Sequence, residues 1–200
     1  MHRPRIRAGR RAAAAALLLA AGLAACGDPL EFEAGFDTVE STVTVHALND
    51  VPIAYAAAVL LAPSPIGVRP AGDYTFDLAV DFDESGAASL YPVDLIAQPG
   101  VISIARTVGI QKLTEVAYGD LERAPNSGYT YGEAVPIAVG DVAAIQSNAH
   151  PYCANSFLSS TLWAKLEVLA LDPAARTARF RVRVDPNCGF RGLQTGRPSR

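Results

Sequence analysis

The sequence predicts an all-β protein, a single antiparallel β-sandwich, and three observations carry the prediction. Short segments alternate apolar and polar residues with a period of two. Gly, Pro, Asn and Asp separate those segments at short intervals, as they do in sandwiches and barrels. No internal repeat or heptad competes with this pattern. Residues 41–190 are assigned to the sandwich, and a chain of this size buries roughly 70% of its unfolded surface in one domain.

The elements follow in order. Over Thr42–Leu48, Val43, Val45 and Ala47 alternate with Thr42, Thr44 and His46, a half-buried strand closed by Asn49-Asp50-Val51-Pro52. Tyr55–Ala62 is an apolar run that fits a buried strand or a short helix, and Pro63 and Pro65 stop either one. Tyr74–Phe82 is the clearest strand. Tyr74, Phe76, Leu78, Val80 and Phe82 share the face assigned to the core, leaving Thr75, Asp77, Ala79 and Asp81 on the other. Asp83-Glu84-Ser85-Gly86 reads as a turn, and Ala88–Ile96 returns as a strand in which Pro92 marks an edge or bulge. Val101–Val108, Tyr129–Val139 and Val142–Gln146 are further short strands. Trp163–Leu171 and Ala178–Val184 form a hairpin around Asp172–Thr177. In its second arm Phe180, Val182 and Val184 face one way and Arg179, Arg181 and Arg183 the other, so a one-residue slip would bury three arginines. That arginine stripe is expected to be a solvated face pairing with acids such as Glu167, and Arg191–Arg200 a solvated tail.

Ahead of the domain stand Arg3, Arg5, Arg7, Arg10 and Arg11, then the 14-residue run Ala12–Ala25, interrupted only by Gly22, then Leu23-Ala24-Ala25-Cys26. A run of this length falls short of the ~20 residues that span a bilayer. The order of charge, apolar core and small residues before a cysteine resembles a bacterial lipoprotein signal peptide. The resemblance implies cleavage after residue 25, a diacylglycerol on the Cys26 sulfur, and a tether over residues 26–40. Two or three acyl chains hold far more firmly than one. Gly27 follows the cysteine where an aspartate favours inner-membrane retention in some lipoproteins, so the expected location is the outer membrane of the cell envelope. With Cys26 lipidated, Cys153 and Cys188 remain as a pair, and an oxidising compartment lets them form a disulfide.

Removing residues 1–25 takes away five arginines and no acids, changing the net charge from −3 to −8. So acidic a balance argues against nucleic acid as a partner and leaves the acyl chains to hold the membrane. Few residues offer chemistry. Asp81, Asp83, Ser85 and Gly86 match the first half of a calcium loop, but Pro92 stands where the bidentate glutamate belongs, and a plain turn is preferred. Two histidines survive processing, His46 on the polar side of a strand and His150 in a loop before Pro151, and no GxSxG, HExxH or SxxK motif is present. Phe76-Asp77-Leu78-Ala79 and Trp163–Val168 bear a loose likeness to haem-scavenging surface lipoproteins, which are all-β. That likeness implies His46 and His150 as iron ligands. Tyr129, Tyr131, Tyr152 and Trp163 are candidates for a sugar-stacking platform, with core packing preferred. The reading that results is a non-catalytic binding or structural module without a cofactor, anchored through Cys26. A protein or glycan is its expected partner, and a haem- or sugar-binding lipoprotein or a hydrolase is the alternative.

Overall fold

A computed structural model describes residues 33–70, 72, 74–97 and 105–198. The leader, Cys26 and most of the tether lie outside the described residues, as does the first part of Val101–Val108. Eleven strands are formed among the described residues: β1 Val39–His46, β2 Ala58–Leu60, β3 Ile66–Val68, β4 Leu78–Phe82, β5 Ala88–Pro92, β6 Thr107–Leu113, β7 Thr130–Tyr131, β8 Val135–Ile137, β9 Val142–Asn148, β10 Leu162–Asp172 and β11 Thr177–Asp185. One helical turn, α1 Val93–Ile96, and a 3₁₀ turn, Pro151–Cys153, complete them.

The strands make two sheets with antiparallel pairing throughout, a six-stranded sheet ordered β1-β11-β10-β9-β6-β7 and a five-stranded sheet ordered β3-β2-β4-β5-β8. The all-β sandwich read from the sequence is the fold of this chain. Its core holds the expected alternation: Val43 and Val45 of β1, Leu162, Ala164 and Leu166 of β10, and Phe180, Val182 and Val184 of β11 pack with Leu78, Val80, Leu90 and Val93 from the five-stranded side. The β10–β11 hairpin keeps the predicted register, pairing Leu166 with Val182 and Glu167 with Arg181, with one irregularity between Val168 and Ala170.

Several expectations need correction. The segment Tyr55–Ala62 contributes only the three residues of β2, and β3 was not anticipated. Tyr129–Val139 splits into β7 and β8, which join different sheets. Ala88–Ile96 stops being a strand at Pro92, whose missing N–H ends the ladder and opens α1. The Tyr74–Phe82 strand begins only at Leu78, and Tyr74 has a left-handed backbone (φ 51°), but Phe76, Leu78, Val80 and Phe82 enter the core as read. Asp77 and Asp81, read on the face opposite the core set, are both buried, Asp77 under Arg106, Ser147 and His150 and Asp81 under Arg176 and Asn49.

The residues expected as a solvated tail from Arg191 are packed as far as Pro198. Leu193 is fully buried, its N–H donates to the Glu122 carbonyl at 2.6 Å, and Thr38 bonds to the Gln194 and Gly196 carbonyls. Together with Tyr118, Leu121, Ala124 and Trp163, Leu193 forms a second, smaller core on the outer face of the six-stranded sheet. The disulfide Cys153–Cys188 ties the 3₁₀ turn to the chain just past β11.

Candidate functional site

Strand alternation on β10 and β11 sends Trp163, Lys165, Arg181 and Arg183 to the outer face of the six-stranded sheet, opposite the sandwich core. The 118–124 segment folds over that face. Between them lies a cleft of about 420 Å³ lined by Glu40, Tyr118, Glu122, Lys165, Arg181, Arg183, Gln194 and Thr195.

Lys165 is its floor. Only 1% of the residue is exposed, and its ammonium donates to the carbonyls of Tyr118 at 2.8 Å and Leu121 at 2.9 Å while sitting 4.4 Å from the Tyr118 ring centre. Burial pushes its pKa down to about 8, the neighbouring Arg183 adds to the effect, and Glu40 and Glu122 oppose it. Arg183 is held by Glu40 at 2.6 Å, and Arg181 pairs with Glu167 at 3.4 Å and lies over the other part of the Tyr118 ring. The Tyr118 hydroxyl donates to Glu40 at 3.0 Å, and burial first, then the Glu40 charge, hold it protonated far above the ordinary tyrosine range. The arginine stripe is therefore not simply solvated: two of its three members form the wall of a cleft. The alternation was legible in the sequence, and a tryptophan on the same face as the lysine is the signal that something covers that face.

A second polar cluster closes one end of the sandwich. Asp77 is fully buried, and its Oδ1 accepts from Ser147 Oγ at 2.9 Å and lies 3.5 Å from Arg106 Nη1. Its Oδ2 accepts from the Leu61 N–H at 2.9 Å, and His150 Nε2 stands 3.3 Å from Oδ1 and 3.4 Å from Oδ2. Since His150 Nδ1 accepts from the Tyr152 N–H at 3.1 Å, these hydrogen bonds assign the imidazole proton to Nε2, where it points at Asp77. Burial alone would raise the Asp77 pKa. The His150 hydrogen bond, the Arg106 charge and the Leu61 N–H outweigh it and hold the carboxyl below its ordinary value of 3.8. Arg106 also donates to the Tyr74 carbonyl. Ser147 and His150 both serve Asp77, an arrangement of a structural carboxylate rather than of a nucleophile and its base.

The sequence-predicted candidates fall in separate places. His150 lies in a loop, as read, and is buried there in the Asp77 cluster. His46 lies at the far end of β1 against the Tyr55 ring, 4.4 Å between centroids. His46 pairs with Thr177 beside the last residue of β10, whereas the His150 N–H bonds to Ser160 just before its first. The length of β10, roughly 33 Å, thus separates the two histidines, and they cannot share one haem iron.

The calcium-loop candidate is the turn that the sequence reading preferred. Asp81 is engaged by Arg176 at 2.7 Å and by Asn49, and Asp83 Oδ1 accepts from Ser85 N, Ser85 Oγ and Ala87 N, which makes the segment a hydrogen-bonded turn. No group of three potential metal ligands occurs among the described residues. Of the proposed aromatic platform, Trp163 and Tyr129 pack into the second core with ring centres 5.7 Å apart, while Tyr131 and Tyr152 are exposed. No protein-family model, curated protein or solved structure matches this chain.

Proposed function

We propose that the protein is a bacterial envelope lipoprotein, held by acyl chains on Cys26. In this reading its sandwich is a non-catalytic binding module that takes a small anion bearing hydroxyl groups, such as an acidic sugar, in the Lys165 cleft. The leader order of arginines, apolar run and Leu23-Ala24-Ala25-Cys26 supports the anchor, and the disulfide accords with an oxidising compartment. The observation that carries the ligand class is the gathering of Lys165, Arg181 and Arg183 in one cleft, three cations against the two carboxylates Glu40 and Glu122 that also line it, in a chain whose processed form has a net charge of −8. Tyr118, Gln194 and Thr195 add the neutral polar groups that hydroxyls require.

A thermal-shift panel of acidic sugars, neutral sugars, inorganic phosphate, hemin and calcium tests it. Acidic sugars should raise Tm by mass action, and Lys165→Met should remove the shift. A shift with neutral sugars alone, or one retained in Lys165→Met, refutes the cleft as the site. A panel with no shift refutes the small-ligand reading.

A further inference from the structure

The two ends of the sandwich differ in character. At one end the Asp83–Gly86 turn packs against Pro173 of the β10–β11 turn, and Arg176 reaches across to Asp50 and Asp81. Asp50, Asp83, Glu84 and Asp172 are all exposed there. At the other end the surface is aromatic, with the exposed charges Glu33, Asp37 and Arg197 beside Phe36, the last two 4.0 Å apart. Phe157 is completely exposed at 104%, Phe36 is 63% exposed and Tyr152 42%. The 23 residues from Val142 to Ala164, which contain the Phe157 loop, hold no Asp, Glu, Lys or Arg.

These aromatics are mounted on a fixed frame. The Gly35 and Phe36 N–H groups donate to Asn187 Oδ1 at 2.8 and 2.9 Å, and Asn187 Nδ2 returns a bond to the Phe36 carbonyl. The next residue, Cys188, is disulfide-bonded to Cys153 at the start of the Phe157 loop. Gly189 then donates to the Thr161 carbonyl, and it lies so close to the loop that a Cβ there would meet the Ser159 Cβ at 2.9 Å. Phe36 and the Phe157 loop are therefore joined through three consecutive residues, 187–189.

We infer that the end carrying Phe36, Tyr152 and Phe157 is a membrane-facing surface, with its aromatic side chains entering the interfacial layer of a lipid bilayer. The inference rests on the anchor reading given under Proposed function. From Cys26 to Ala34 the chain advances eight residues, a reach of at most ~29 Å, which is shorter than the ~33 Å length of β10. The lipid-bearing residue is thus tied to the end from which the chain leaves at Ala34–Phe36, the aromatic one. Charge points the same way. The end carrying Asp50, Asp83, Glu84 and Asp172 is repelled by anionic headgroups, whereas the aromatic end carries Glu33 and Asp37, the latter beside Arg197, and gains by burying apolar rings. Large apolar side chains left exposed at one end of a folded domain are themselves a pointer to an interaction site.

The test places a fluorophore at each end of the full acylated protein reconstituted in phosphatidylcholine–phosphatidylglycerol vesicles, with and without a dibrominated phosphatidylcholine. Trp163, the single tryptophan of the chain, is buried and supplies a constant background. Phe157→Trp and Phe36→Trp should shift their added emission to the blue and lose it to brominated lipid. Ile53→Trp, at the acidic end and 90% exposed, should do neither. An unquenched Phe157→Trp, or equal quenching of Ile53→Trp, overturns the inference. Mass spectrometry of Cys26 on the same samples separates it from the anchor. Acylated Cys26 with unquenched Phe157→Trp sinks the surface and leaves the anchor standing. Unmodified Cys26 with Phe157→Trp quenched by added vesicles supports the surface and sinks the anchor.

Discussion

Asp77→Ala is the most informative single substitution, because four donors converge on one carboxylate that water does not reach. The change leaves the Arg106 guanidinium, itself 5% exposed, without its counter-charge, and strips the Leu61 N–H and Ser147 hydroxyl of their acceptor. Breaking a buried ion pair from one side costs about 3–5 kcal/mol, a large share of the about 5–15 kcal/mol that holds a domain together. In a chain of this size that corresponds to a fall in Tm of roughly 6–20 °C. Asp77→Asn should be little better, since Leu61, Ser147, Arg106 and His150 all donate and an amide nitrogen can satisfy none of them. Urea unfolding of the processed protein measures the effect as a lower midpoint at unchanged slope. Pairing Asp77→Ala with Arg106→Met should restore part of the loss, because the double variant buries no lone charge. An Asp77→Ala variant within about 1 kcal/mol of wild type, or strict additivity in the pair, would refute the cluster as the clamp on this end of the sandwich.

Three further outcomes follow from the same physics. Cys188→Ser opens a loop of 36 residues counted from Cys153 to Cys188, and chain entropy puts the loss at about 3–4 kcal/mol, read as a lower urea midpoint; an unchanged midpoint would contradict it. Gly109→Ala should cost about 1–3 kcal/mol, since a Cβ there would meet the Tyr131 ring at 2.6 Å and the Tyr129 Cβ at 2.8 Å; a melt matching wild type would show that β7 yields freely. Asp185 is fully buried, and burial raises its pKa to about 7 despite hydrogen bonds from Asn187. A raised carboxyl pKa stabilises below the unfolded value of 3.8, and that contribution, at most about 4 kcal/mol, fades as pH rises through about 7. Asp185→Asn should flatten the stability profile in that window. Asp77 acts with the opposite sign and elsewhere, its contribution being present above 3.8 and lost as pH falls further. Identical pH profiles for Asp185→Asn and wild type would reject the assignment.

The hairpin Trp163–Leu171/Ala178–Val184 was legible because each arm carries its own period-two pattern, and sliding either by one residue would exchange Phe180, Val182 and Val184 for arginines. The same pattern gave no sign that Asp77 is buried, because the groups that cover it, Arg106, Ser147 and His150, come from segments 29 to 73 positions away. It placed Arg181 and Arg183 on the correct face and still misjudged their surroundings, because a pattern names the face of a strand and not what lies over that face.

By itself, then, the amino-acid order determined the fold class, the hairpin register, the cysteine pair available for bridging and the acidic balance of residues 26–200. Those properties are local, set by neighbours a few residues apart or by simple counts. The tertiary structure alone decided that Asp77 and His150 meet across 73 positions, that Tyr118 caps Lys165 from 47 positions away, and that the residues after Arg191 are packed rather than free. Such contacts depend on which segments fold over which faces, and the free energy that selects them comes from burying surfaces that are remote in the chain.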